Sequence, residues 1–217
     1  MNEKECFLDE LEYYLRNATH LKEQSLKIYI NRIRNLLDSG YSVSDLCGSA
    51  DRLWEAYGAK GQLYDPKDHG NTRAAIRHVA DFVREKILEE SGCPYVSYEK
   101  GWSSFRPKGK YESGYVIANG VITFSYNIGF RTGKTVAKKL SATNIMELNY
   151  LFERAQKKGC LASSGTCIST VHGNQNKFDY SFGSAAGNNC CCLFEGDSVY
   201  VKQLDAEYRA LIDKLRF

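Results

Sequence analysis

The stretch "GFRTGKTVAKK", residues 129–139, contains residue types that bind phosphate in nucleotide hydrolases. Their phosphate-binding loop has a glycine, four further residues and then Gly-Lys-Ser/Thr, so that backbone N–H groups wrap a phosphate. Here Gly133-Lys134-Thr135 has Ile128 where the first glycine is needed, and Gly129 leaves one residue too few. The sequence therefore predicts no nucleotide binding and no ATP hydrolysis. The stretch is instead notable for its cluster of positively charged residues.

The cysteines are the second group of residues that could do chemistry. There are eight, three of them consecutive at 190–192. Structural zinc sites usually contain a Cys-x₂₋₄-Cys pair, and the six residues between Cys160 and Cys167 do not fit that spacing. We expect reduced thiols packed as small apolar groups, with no metal and no cofactor. A cysteine nucleophile paired with His172 is an alternative, because such pairs meet in space rather than in sequence.

Positive charge is concentrated in the second part of the chain. The net charge, counted as lysines and arginines minus aspartates and glutamates, is −3 for residues 1–90 and +6 for residues 91–217. Residues 101–160 alone carry +7. Aromatic residues alternate with the cations in "GWSSFRPKGKYESGY", which suits phosphate contacts and base stacking. A solvated lysine face is the alternative interpretation. The candidate nucleic-acid-binding residues of this part are Arg106, Lys108, Lys110, Arg131, Lys134, Lys138 and Lys139.

The elements that would position these residues differ between two predicted domains, 1–92 and 93–217. Apolar residues at helical spacing predict four helices joined by short polar loops in the first domain. Ser42 and Asp45 have the spacing of a capping box at the start of one helix. This domain should be a compact helical bundle.

The second domain reads as an antiparallel sheet with two helices. Asn119-Gly120 between two β-rich runs predicts a hairpin. "NIMELNYLFERAQKK" predicts a helix capped by Asn144, and "DAEYRALIDKLRF" predicts a terminal helix. Short strands are predicted at "CISTV", "KFDYSF", "CCCLF" and "SVYVKQL". The predicted fold class is α+β, a helical bundle followed by an α+β domain.

The first domain resembles the SAM-like core-binding domain of phage integrases and other tyrosine recombinases. The resemblance lies in "SLKIYINRIRNLLDSGYSVSDLCGSADRLWEAYG" and "NTRAAIRHVADFVREK". It implies a four-helix SAM-like bundle that grips duplex DNA through helix starts and polar helix faces. The residues that it nominates are Lys22, Gln24, Ser25, Lys27, Asn71, Arg73 and Arg77.

The second domain departs from a recombinase. The catalytic domain of that family uses His-x-x-Arg and a late tyrosine nucleophile, and none of the four histidines is followed by arginine at the third position. Tyr208, in "AEYRAL", is interpreted as a tyrosine that packs a terminal helix. We therefore predict no recombinase catalysis and no catalytic residues, and this domain resembles no family that we recognise.

Together these patterns predict a non-enzymatic protein that binds duplex DNA, of phage or mobile-element type. A protein partner is possible on the same surface, and one alternative is an interaction protein that inhibits a nucleic-acid-directed defence enzyme. The other alternative is a cysteine-dependent enzyme. With a polar, acidic beginning and no apolar run of about 20 residues, we expect a cytoplasmic protein without membrane contact.

Overall fold

The computed structural model describes residues 2–100, 109–128, 131–163 and 176–216. The chain has an α+β fold and divides into two compact units, Met1–Ile87 and Leu88–Phe217. The division falls inside a long helix, slightly before the predicted boundary at residue 92. The first unit is called the helical unit below, and the second the α+β unit.

Four α-helices build the helical unit: α1 (Glu3–Ala18), α2 (Glu23–Asp38), α3 (Val43–Ala56) and α4 (Asn71–Ser91), whose last turn belongs to the second unit. A short 3₁₀ turn, Pro66–Asp68, precedes α4. The predicted capping box is confirmed, because the Ser42 hydroxyl accepts from the Asp45 N–H while the Asp45 carboxylate accepts from the Ser42 N–H. That reciprocal pair satisfies donors that have no partner within the helix.

The core of the helical unit is mainly aliphatic. Leu8, Leu11, Ile33 and Ile76 are all at most 1% exposed. Buried residues recur at helical spacing along each of α1, α2 and α4, so each helix turns one mainly apolar stripe inward. None of the helices in the described ranges is long and apolar enough to cross a membrane.

The α+β unit is built on one six-stranded antiparallel sheet. Its strands are β1 (Tyr95–Glu99), β2 (Lys110–Ala118), β3 (Val121–Ile128), β4 (Arg131–Lys139), β5 (Lys177–Phe182) and β6 (Ala185–Cys190). They lie in the order β4-β3-β2-β1-β5-β6. The predicted hairpin is confirmed, since Asn119 and Gly120 both have positive φ, 49° and 66°, between β2 and β3.

Two helices pack on this unit's core, α5 (Ala142–Lys157) and α6 (Val199–Leu215). The sheet contributes buried aromatic and aliphatic side chains, among them Tyr115, Phe124 and Tyr180. Phe152 of α5 is fully buried, and its ring lies 5.4 to 6.2 Å from those of three other aromatic residues. Those residues are Tyr180, Phe182 and Phe194.

Three local predictions are wrong. "SVYVKQL" is not a strand, because Ser198 caps α6 and the segment from Val199 onward is helical, with Val201 and Leu204 buried on the stripe that continues to Leu215. Its β-branched valines suggested a strand, but the 3.6-residue repeat of buried positions prevailed. "CCCLF" is not a strand beyond Cys190, where β6 ends. The cap of α5 is Ser141, whose hydroxyl accepts from the Asn144 N–H. "KFDYSF" is confirmed as β5, and "CISTV" lies outside the described residues.

Candidate nucleic-acid interface

The lysines of residues 129–139 lie on an outer strand of the sheet. Lys134, Lys138 and Lys139 belong to β4, which pairs with β3 on one side, and their side chains are exposed. Within the described residues, no carboxylate lies within 4.0 Å of their ammonium groups. We call these three lysines the basic edge. Their positive charge is not cancelled locally and acts directly on the solvent.

Lys110 extends the positive region from β4 towards β2. Lys110 pairs across the sheet with Ile128, which pairs in turn with Arg131, so Lys110 and Arg131 occupy one row of the sheet. The Lys110 ammonium lies 4.5 Å from the centre of the Tyr126 ring, a cation–π contact. Arg106 and Lys108 lie outside the described residues, as does the side chain of Arg131.

The structure gives Gly133 a packing role. A Cβ atom at Gly133 would lie 2.0 Å from the carbonyl oxygen of Tyr126, so only glycine fits where β4 approaches β3. The register between these strands shifts between Ser125 and Asn127, which marks a β-bulge. The Gly-Lys-Thr tripeptide is therefore part of a bulged strand and not of a phosphate-wrapping loop.

The candidate residues at the start of α2 are mostly exposed. Lys22 is the N-cap residue and makes no side-chain capping bond. Gln24 and Lys27 are exposed and Ser25 is half-buried. Lys27 lies 3.9 Å from Glu23, a weak i,i+4 ion pair on the surface. This helix start offers two lysines and backbone N–H groups to an anion.

The start of α4 is already occupied by the protein's own carboxylate. Asp68 accepts from the Thr72 N–H at 2.7 Å, and the Arg32 guanidinium lies 2.9 Å from its other oxygen. The Asn71 side-chain amide donates to the Asp68 carbonyl. Because the Thr72 N–H already donates to Asp68, and the Asp68 carboxylate stands beside the start of α4, this helix start is less suited than that of α2 to binding a phosphate.

The two arginines of α4 are arranged around one tryptophan. The Arg73 guanidinium lies 3.9 Å from the centre of the Trp54 ring, and its Nε donates to the Trp54 carbonyl at 3.2 Å. Arg77 lies farther away, 5.7 Å from the ring, is exposed, and pairs with Asp81 at 3.7 Å. Arg73 thus fixes α4 against α3, while Arg77 is the more available of the two to an external anion.

Cys190 and Tyr208 are buried packing groups, and the other described cysteines are partly exposed. The seven cysteines in the described ranges form no disulfide. Burial raises the pKa of the Cys190 thiol, whereas a nucleophilic cysteine needs a lowered pKa. Burial also raises the pKa of Tyr208 well above its usual value, and its hydroxyl lies 3.0 Å from that of Tyr115. Among the described residues no group of three His, Cys, Asp or Glu side chains could hold a metal ion; His172 and Cys167 lie outside them.

The sequence reasoning missed a pocket on the α+β unit, between the sheet and α6. Its lining comes from β1, β2, β5, the segment after β6 and α6, so no local motif could have indicated it.

No protein-family model, no curated protein and no solved structure matches this chain.

Proposed function

We propose that this protein binds duplex DNA without catalysing a reaction on it, and that the basic edge supplies its main contacts to the phosphate backbone. The observation that carries the proposal is the exposure of Lys134, Lys138 and Lys139 without a carboxylate partner in the described chain. Neutralising phosphates releases condensed counterions, and this is the dominant source of non-specific affinity for DNA.

The geometry of β4 suits a backbone contact. Lys134 and Lys138 are four residues apart on one strand, about 13 Å at 3.3 Å per residue. Lys138 pairs with the buried Ile122, and Lys139 pairs with Val121, so these two lysines extend to opposite faces of the sheet. The basic edge therefore carries cations along its length and on both faces, where they can reach successive phosphates.

In this proposal the helical unit positions the protein on the duplex, as the resemblance to the integrase core-binding domain implies. Lys22 and Lys27 at the start of α2 are the exposed cations that support this role, together with Arg77 on α4. Arg73 contributes indirectly, because it holds α4 against Trp54. An origin in a phage or mobile element rests on the same resemblance.

Lysines on an outer strand also have a simpler explanation. Charged side chains on the edge of a sheet prevent edge-to-edge association with another chain. That explanation predicts that removing the basic edge promotes self-association and leaves DNA binding unchanged. The DNA-binding proposal predicts the reverse, so the two can be separated with a single set of variants.

The test is an affinity titration of a short duplex over a series of salt concentrations. The variant K134A/K138A/K139A removes three charges from the basic edge. A matched control, K158A/K177A/K202A, removes three exposed charges elsewhere in the same unit. If all three edge lysines contact phosphates, the slope of log K against log salt should become shallower by about 2.7, which is 0.9 for each contact.

The control variant should keep most of the slope, because it changes net charge equally but leaves the basic edge intact. Equal losses in both variants would mean that only net charge matters. Unchanged binding in the edge variant, or no binding of the wild-type protein at low salt, would overturn the proposal.

A further inference from the structure

The pocket between the sheet and α6 has a volume of about 260 Å³. Its floor is a row of aromatic rings across β2, β1 and β5. The Tyr98 ring lies 5.1 Å from that of Tyr115 and 4.8 Å from that of Phe178. Tyr115 is buried, but Tyr98 and Phe178 are only half-buried and line the pocket. Partly exposed rings in a pocket lining offer an aromatic surface on which a planar base can pack, because every base has a π-face.

The walls of the pocket carry hydrogen-bonding groups of both kinds. The Asn176 amide oxygen accepts from the Tyr98 hydroxyl at 3.2 Å, which orients the amide. Asn176 makes no other hydrogen bond with the described residues, so its NH₂ is a donor available to a ligand. On α6, one oxygen of Asp205 pairs with the exposed Arg209 at 2.7 Å, and the carboxylate has further acceptor positions. A donor and an acceptor beside a stacking floor are what the edge of a nucleobase requires.

The charges around the pocket disfavour a simple anion. Asp205 and Asp213 both line it, and the arginines of the same helix are paired with acids, Arg209 with Asp205 and Arg216 with Glu112 and Asp213. A phosphate inside would therefore meet carboxylates. A neutral base with donors and acceptors on its edge meets no such penalty.

The pocket lies towards the end of the sheet that carries Lys110 and Arg131. Glu112 of β2 holds Arg216 at the rim through two contacts of 2.8 and 2.9 Å. Lys110 is two residues from Glu112 on the same strand, about 7 Å away, and shares a row with Arg131 of β4. A nucleotide with its base in the pocket could thus have its phosphate near Lys110.

We propose that this pocket seats one unpaired nucleobase of the DNA whose backbone lies along the basic edge. The base stacks on Tyr98 and Phe178, and Asn176 and Asp205 bind its edge. This inference rests on the proposed function, because it takes DNA as the ligand. It adds a preference that phosphate contacts cannot give, for DNA with an unpaired base over a fully paired duplex.

The test compares two duplexes of equal length, one fully paired and one with a single bulged 2-aminopurine, a fluorescent adenine analogue. Wild-type protein should bind the bulged duplex at least about fivefold more tightly, since stacking of one base commonly gives that much. Binding should also quench the 2-aminopurine fluorescence. Equal affinity for the two duplexes would overturn the inference and leave the proposed function standing.

Variants of Tyr98 separate stacking from general damage. Tyr98→Leu keeps an apolar side chain and should abolish the preference for the bulge, with affinity and salt slope for the paired duplex unchanged. Tyr98→Phe retains a ring and should retain most of the preference. Asp205→Ala, which removes both acceptor oxygens at a partly exposed position and leaves the aromatic rings intact, should lower the preference even if Tyr98→Leu does not fold. Retention of the full preference in Tyr98→Leu and Asp205→Ala would place the base elsewhere.

Free 2-aminopurine riboside tests the pocket without the backbone contacts. The wild-type protein and K134A/K138A/K139A should quench it equally, and Tyr98→Leu should not. Quenching of the nucleoside with no binding of any duplex would support a base pocket while refuting the proposed function. Absence of quenching with both the nucleoside and the bulged duplex would refute the pocket.

Discussion

Many cations of the helical unit are paired with carboxylates, whereas, in the part of the chain that the structure describes, the three lysines of the basic edge are not. In the helical unit Arg16 binds both Glu12 and Glu23, Arg32 binds Asp68, and other lysines and arginines pair similarly. On the basic edge of the α+β unit no such pairs occur within the described residues. The comparison shows that the number of basic residues in a segment says little about its potential until their partners are known.

The two cores differ as well. Aliphatic side chains fill the helical unit, whereas rings from β1, β2, β3, β5 and α5 interlock in the α+β unit. The partly exposed end of the aromatic row, at Tyr98 and Phe178, is where the pocket lies.

The largest effect that would sharpen this comparison is expected from Phe152→Ala. Phe152 is fully buried among three aromatic rings, so its loss should lower the free energy of unfolding by about 3–5 kcal/mol. Ile33→Ala in the aliphatic core of the helical unit should lower it by about 2–5 kcal/mol. Denaturant unfolding measures both, with the exposed Met146→Ala on α5 as the control. If Phe152→Ala lowers the free energy of unfolding by less than about 1 kcal/mol, the packing of Phe152 among three aromatic rings is not a main source of stability in this unit.

A smaller effect is expected from Arg73→Ala in the helical unit. This change removes a stacked cation and a hydrogen bond to the Trp54 carbonyl, so the free energy of unfolding should fall by roughly 1–2 kcal/mol. Arg77→Ala should change it by less than about 0.5 kcal/mol, because its side chain is exposed. If DNA affinity depends on Arg73 while stability does not, its proposed structural role is wrong and the unit's cations are more available than the contacts indicate.

Much of the fold could be predicted from local sequence patterns, and the failures have physical causes. The helices of the first unit and the Asn119-Gly120 hairpin follow from apolar spacing and from one turn dipeptide. The start of α6 differs from the prediction because Val199 and Val201 favour strands by propensity, while the burial of Val201 depends on tertiary structure. β1 is not among the strands predicted from the sequence.

The candidate site, like the fold, is only partly predictable from the sequence. The lysines of the basic edge were found from charge alone, since a dense positive segment is visible in sequence. That Arg73 stacks on Trp54, 19 positions away, could not be seen there. The pocket requires residues from five separate segments, whose meeting depends on strand order and on where α6 packs.

Tyr208→Phe tests the buried polar pair of the α+β core. Removing the hydroxyl leaves that of Tyr115 without its 3.0 Å partner, so the free energy of unfolding should fall by about 1 kcal/mol. Because burial raises the pKa of Tyr208, the unfolded chain ionises first, and the wild-type protein should lose stability as the pH rises above 10, with a smaller loss in the variant. DNA affinity should not change. A covalent complex between DNA and the wild-type protein, absent from the variant, would instead make Tyr208 a nucleophile.

The smallest effect is expected at the ion pair between α5 and α6. Arg154 Nη1 donates to Glu207 at 2.6 Å, and this contact lowers the pKa of the Glu207 carboxyl below its usual 4.5. The stabilisation is therefore present above pH 4.5 and is lost as the pH falls through the lowered pKa. Since the Glu207 side chain is 37% exposed, the effect should be at most about 1 kcal/mol. Glu207→Gln should lower the free energy of unfolding by that amount at pH 7 and leave it unchanged at pH 2–3, as measured by denaturant unfolding at each pH.

The control is Glu153→Gln, which removes the exposed 4.0 Å pair with Lys157 on α5. This variant should show no comparable pH dependence. If the two variants behave alike, the ion pair between Arg154 and Glu207 contributes no more to stability than an exposed surface pair. The difference between paired and unpaired cations would then affect the electrostatic potential of the surface but not the stability of the fold.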